Sequence, residues 1–213
     1  MGVFVYQCDN RPSLDYLQRT RKVNETMCKL KGYTYIFEDL TKYIKENMHP
    51  ACSKIYAVNE LLKTLNNDDI IVFLDSDAWI QNHHNLELII TYLKNSEFIC
   101  CISKDNTKGP ELHVNSGSFI LKKNKETVQM YNYLENRLNT DPIYHNIWGY
   151  DQGYITEYVR ENLDKVAVFS IHILNGPSGN TLRHNWKKNK KMWIDIKYLL
   201  NNIPKYSTLT LNF

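Results

Sequence analysis

The sequence predicts an α/β protein with a mostly parallel central sheet flanked by helices, and three observations carry that reading. Short β-prone runs alternate with stretches of helical periodicity along the chain. The run Ile70-Ile71-Val72-Phe73-Leu74 is uniformly apolar, as in a buried strand. It stops abruptly at Asp75 and Asp77, spaced i, i+2, at the strand end where open α/β sheets bind ligands.

Each element follows from its own residues. Val3-Phe4-Val5-Tyr6 is a short first strand that ends in the polar loop Gln7-Cys8-Asp9-Asn10-Arg11-Pro12. Residues 13–30 are helical, with Gly32 as the C-terminal cap. Tyr33-Thr34-Tyr35-Ile36-Phe37 is β-rich and forms the second strand. Residues 53–65 keep Ile55, Val58, Leu61, Leu62 and Leu65 on one helical face and feed the strand that ends at Asp75. A helix over 86–93, strands over 98–102 and 117–121, helices over 125–138 and 151–162, and the strand Val166-Ala167-Val168-Phe169 complete the alternation. Right-handed crossovers then give the mostly parallel sheet.

At 213 residues, 43% apolar and 23% charged, the chain reads as one globular domain over 1–213, without repeats or low-complexity linkers. The net charge of +3 argues against a nucleic-acid partner. The basic run Lys187-Lys188-Asn189-Lys190-Lys191 is read as a solvated helix face. Five cysteines lie outside any CxxC pair and read as free thiols of a reducing compartment. No run approaches the ~20 apolar residues of a membrane span, and the start has no charged n-region. The expected location is the cytoplasm, where the sequon Asn24-Glu25-Thr26 carries no meaning.

Asp75 and Asp77 are the leading chemical candidates. Carboxylate oxygens are hard ligands suited to Mn²⁺ or Mg²⁺, ions commonly shared with substrate phosphates. Asp-x-Asp alone is a common tripeptide, and a strand-end turn capped by Asp is the bland reading. A haloacid-dehalogenase-like phosphatase would use the first Asp as nucleophile, but Trp79-Ile80 does not supply the hydroxyl expected beyond the second. His83 and His84 are read as exposed loop residues. Tyr144, His145, Trp148 and Tyr150 crowd the segment before Asp151, as sugar-stacking faces or as core.

An ordered set of segments runs through most of the chain: Ser53-Lys54-Ile55, Asp75-Ser76-Asp77-Ala78, Asn115-Ser116-Gly117-Ser118-Phe119-Ile120-Leu121, Tyr150-Asp151-Gln152-Gly153 and His172. In this it resembles the GT-A (Rossmann-like) nucleotide-sugar glycosyltransferases. The nearest group is the galactosyl/xylosyltransferases of yeast mannan and plant xyloglucan, with glycogenin-like enzymes as cousins. More particularly it resembles a glycosyltransferase domain of a large algal virus, which implies the host cytoplasm.

The resemblance implies a hexosyltransferase that uses a UDP-sugar donor, a glycan or glycoprotein acceptor and Mn²⁺ or Mg²⁺. It implies Asp75, Asp77 and His172 as metal ligands, with His184 as the second choice. Gln7, Cys8 and Asp9 would meet the uracil and ribose, and Lys54 and Ser76 the donor. Asn115, Ser116 and Gly117 would line the donor sugar, and Asp151 and Gln152 would form the catalytic pair. The glycogenin-like Lys-Pro-Trp phosphate clamp is missing; Gly176-Pro177-Ser178-Gly179 stands there instead, and Arg183 is the replacement candidate. The resemblance favours retention of anomeric configuration; in an inverting enzyme Asp151 would be the general base. A nucleotide-sugar-binding module without turnover is the non-enzymatic alternative.

Overall fold

The computed structural model describes residues 1–107, 109–186 and 196. Its elements are β1 (Val3–Asp9), α1 (Asp15–Lys31), β2 (Thr34–Asp39), α2 (Ser53–Thr64), β3 (Ile70–Leu74), β4 (Ala78–Ile80), α3 (His83–Lys94), β5 (Cys100–Lys104), β6 (Val114–Lys122), α4 (Lys125–Thr140), α5 (Tyr150–Glu161), β7 (Val166–Phe169) and β8 (Leu182–His184). Every strand and helix expected from the sequence is present, with ends displaced by a few residues. Gly32 closes α1 in the left-handed conformation, φ 67°, and its N–H bonds to the Cys28 carbonyl. The basic run 187–191 lies outside the described residues.

The main sheet has the order β2-β1-β3-β6-β5-β7. It is α/β and mostly parallel, with β6 as its one reversed strand, antiparallel to both β3 and β5. Strand alternation divides the core: Ile71 and Phe73 of β3 pack with α2, α4 and α5, whereas Ile70, Val72 and Leu74 pack with α1 and α3. A second, two-stranded sheet pairs β4 with β8, placing Ala78 opposite His184. The sequence reading missed this ribbon.

The reversed strand matters for the site. Because β6 runs against β3, its first residues lie beside the last residues of β3, and the Asp75 N–H bonds to the Gly117 carbonyl at 2.8 Å. The five cysteines are all buried and free, and no described helix is long and apolar enough to cross a membrane.

Candidate active site

The turn after β3 is held from beneath by polar side chains. Gln7 on β1 donates to the Asp75 carbonyl at 2.9 Å and to Thr20 Oγ1 at 3.1 Å, and accepts from Tyr35 Oη and Asn24 Nδ2. Thr20 donates to the Ser76 carbonyl at 2.7 Å, and Asn24 bonds to Ala78 and Ile80. Gln7, which the resemblance placed at the uracil and ribose, is fully buried beneath the turn with both ends of its amide engaged inward. Its bonds satisfy carbonyls that would otherwise be orphaned, fixing the direction in which Asp75 and Asp77 point.

His184 meets these carboxylates. Its Nε2 is 2.9 Å from Asp77 Oδ1 and 3.9 Å from Asp75 Oδ2. Two ligands of an ion held at about 2.1 Å can stand at most about 4.2 Å apart, and both separations satisfy that limit. Asn175 uses its amide N–H to bond the Asn115 carbonyl, so its Oδ1 accepts from His184 Nδ1 at 2.9 Å. That bond keeps the proton on Nδ1 and turns Nε2 toward the carboxylates, as orienting partners of metal-bound histidines do. Gly117 makes room for the ring, because a Cβ there would lie 2.1 Å from His184 Cε1. Asp75, Asp77 and His184 thus form a candidate site for a divalent cation.

His172, the first-choice third ligand, is a correction. It is absent from this cluster, and its ring Nδ1 pairs with Ser178 Oγ at 2.7 Å in an exposed setting. The β4–β8 pairing brings in the second choice, His184, whose register follows from hydrogen bonding to the strand after Asp77. Arg183, one residue earlier, does not line the cleft; its Nε donates to the Gly179 carbonyl at 3.2 Å.

Burial alone would lower the His184 pKa, but Asp77 beside it overrides burial and holds the imidazole above its ordinary 6.5. Asp77 lies below its ordinary 3.8: burial raises it, and His184 more than offsets that. The charged His184 stabilises the metal-free fold fully below pH 6.5 and ceases to do so as pH rises through its folded pKa. The Asp77 contribution is complete above 3.8 and lost as pH falls through its lowered value. The metal-free chain is therefore expected to lose thermal stability as pH rises above 6.5 through the raised pKa of His184. Mn²⁺ should stabilise it increasingly over that interval, because the ion takes Nε2 only after its proton leaves. Melting curves on either side of that pKa, with and without Mn²⁺, check this; an equal Mn²⁺ effect on both sides would remove His184 from the ion.

Lys54, on the first turn of α2, ties two parts of the site together. Its Nζ is 3.0 Å from Asp75 Oδ1 and 3.0 Å from Asp151 Oδ2, above the Phe73 ring. Burial works against its charge, and the two carboxylates raise its pKa well above normal. Asp75 is shifted upward by burial, with Lys54 offsetting part of the effect. Gln152 follows Asp151 on α5; it accepts from the Ser116 N–H at 3.2 Å and donates to Asp105 Oδ2 at 3.0 Å. Asp105 also accepts from Asn115 Nδ2. The sequence reading passed over Asp105, although it follows β5 as Asp75 follows β3.

These residues line a cleft of about 770 Å³ that includes Arg11, Lys54, Asp75, Asp77, Asp105 and Asp151. Ser76, Asn115, Ser116, Gly117 and Gln152 are also on its wall. It adjoins a smaller cavity of about 230 Å³ lined by Cys8, Asp9, Arg11, His49 and Lys54. Of the expected site residues, the fold gathers all but Gln7, His172 and Arg183 around this paired space.

The sequence matches the nucleotide-diphospho-sugar transferase family over residues 17–202, and the chain belongs to that family. It is a nucleotide-sugar glycosyltransferase with a GT-A fold, which sets the phosphatase reading aside. A glycosyltransferase involved in glycosylating the major capsid of the virus PBCV-1 is similar at 14% identity and TM-score 0.71, over 93% of this chain and 98% of that one. Mouse xyloside xylosyltransferase 1 is similar at 11% identity and TM-score 0.57, over 88% and 98%. The galactosyltransferase LgtC, bound to donor and acceptor sugar analogues, is similar at 12% identity and TM-score 0.53, over 95% and 96%. No curated protein sequence matches significantly.

Proposed function

We propose that this chain is a metal-dependent transferase that moves a hexose or deoxyhexose from a UDP-sugar to a glycan hydroxyl, with retention of configuration. The observation that carries the reading is the Asp75/Asp77/His184 cluster on the wall of a cleft that also holds Asp151. Two carboxylates and an oriented imidazole suit Mn²⁺ better than Mg²⁺, since imidazole favours transition metals. The ion would neutralise charge developing on the departing nucleoside diphosphate.

The remaining work falls to the chain's own residues. The smaller cavity takes the nucleoside beside Cys8 and Asp9, and the donor sugar lies along Asn115, Ser116 and Gly117. Asp151 and Gln152 flank the anomeric carbon. Lys54 Nζ, 3.0 Å from Asp151 Oδ2, holds that carboxylate in position to accept a hydrogen bond from a sugar or acceptor hydroxyl. Trp148, 64% exposed at the cleft mouth, offers a stacking face to the acceptor.

The test is calorimetric titration of UDP, GDP and their sugars with Mn²⁺ and then with EDTA, together with Asp151→Asn. The expected result is UDP binding that disappears with EDTA, near-normal donor affinity in Asp151→Asn, and turnover lowered by about 10²–10⁴. Donor binding with no turnover to lose, across an acceptor panel, would mean a binding module. No UDP binding under either condition would overturn the reading.

A further inference from the structure

Asp9 and Arg11 form an ion pair at the junction of the two cavities. Arg11 Nε lies 3.0 Å from Asp9 Oδ1, Arg11 Nη2 lies 3.0 Å from Oδ2, and the Arg11 backbone N–H adds a 2.7 Å bond to Oδ1. The two partners sit differently. The Asp9 side chain is buried at 6% exposure on the wall of the smaller cavity, whereas that of Arg11 is 58% exposed and borders both cavities. Both carboxylate oxygens of Asp9 are thus occupied by a neighbour that is itself free to turn. Arg11 also feels the charge of Asp77, so its guanidinium lies within electrostatic reach of the candidate cation site.

A charge count shows what the site lacks. The carboxylates of Asp75, Asp77 and Asp151 would together offset a divalent cation and the Lys54 ammonium. Arg11 and Lys54 are the Arg and Lys side chains that line the two cavities among the described residues. Among the described residues a bound diphosphate therefore has Arg11, held by Asp9 alone, as the cation that can turn toward it, and Arg183 stands elsewhere. A guanidinium suits this task, since its fork matches phosphate oxygens bidentately. Asp9 in turn gives a carboxylate to the cavity assigned to the nucleoside, where ribose hydroxyls are donors in need of acceptors.

We infer that the Asp9–Arg11 pair is a donor-exchanged latch: on binding, Arg11 leaves Asp9 for the diphosphate, and Asp9 accepts from the ribose hydroxyls in its place. The inference rests on the nucleotide-sugar reading above and names the residue that replaces the missing phosphate clamp. The exchange trades one bidentate bond set for another, so the empty cavity keeps its buried carboxylate compensated and the loaded one leaves neither partner bare. It also sets a specificity: a nucleoside without phosphates must compete with Arg11 for Asp9, whereas a nucleoside diphosphate draws Arg11 away.

The experiment measures UDP and uridine affinities at saturating Mn²⁺ for wild type, Arg11→Gln and Asp9→Asn, and compares the ratio of the two affinities. In Arg11→Gln, UDP affinity is expected to fall about tenfold or more, while uridine, freed of its competitor for Asp9, binds more tightly, so the ratio shrinks. In Asp9→Asn uridine weakens, while UDP weakens less because Arg11 is released, so the ratio widens. A ratio unchanged in both variants means Arg11 only braces the loop and overturns the latch while leaving the transferase reading intact. Wild-type protein that binds no UDP overturns both.

Discussion

Lys54→Met is expected to cost about 3–5 kcal/mol of stability, the range for stripping one partner from a buried ion pair. For a chain of this size that corresponds to a fall of roughly 10 °C in melting temperature. The size of the effect follows from what is left behind. Asp151 is 3% exposed, and with Lys54 gone its carboxylate loses the ammonium 3.0 Å away while still lining an apolar niche with Phe119, Tyr131 and Ile155. Adding Asp151→Asn to Lys54→Met should return part of the loss, because the second change removes the uncompensated charge that the first created. Chemical denaturation of the two single variants and the double variant gives the cycle. A loss below about 1 kcal/mol for Lys54→Met would mean that water already reaches the triad and that the cation is not structural.

Asp77→Ala is expected to abolish metal-dependent donor binding and to lower turnover by about 10³ or more, because the ion's charge stabilisation is worth several kcal/mol. The fold should survive. Asp77 is 20% exposed at the side chain, and the turn is held through backbone carbonyls by Gln7, Thr20 and Asn24 rather than by the carboxylate. The distinguishing sign is in His184: without Asp77 its pKa should fall, since the charge that holds it up is gone. Calorimetry with Mn²⁺ and UDP, with the His184 ring followed by NMR, reads both effects. Donor binding that stays dependent on Mn²⁺ would place the ion elsewhere.

Much of this was legible in the sequence because the central strands are long apolar runs. Ile70 to Leu74 was read to the residue, and the turn residues Asp75 and Asp77 followed from where the run stops. The reversal of β6 was less visible. Its first residues, Val114, Asn115 and Ser116, are buried but two of them are polar, committed to hydrogen bonds in the site rather than to the core. Read by apolarity alone, the strand starts late and the connection from β5 looks long enough for a crossover. With its true ends, only residues 105–113 join the two strands, too few for a parallel connection. The third member of the candidate metal site was hidden for a related reason. The resemblance ranked His172 ahead of His184, and what reverses that order is a three-residue pairing between Ala78–Ile80 and Leu182–His184. Such short strands carry almost no pattern of their own. Arg11 was passed over because a loop arginine has no periodicity to mark it.

The pairing of β4 with β8 also sets when a growing chain can become competent. Asp77 leaves the ribosome 184 − 77 = 107 residues before His184. At about 5–20 residues per second this is a delay of roughly 5–20 s. All six strands of the main sheet precede residue 170, so the two carboxylates can be in place while their imidazole partner is still being synthesised. Arrival of the last ribbon strand then completes the candidate cation site in one late step.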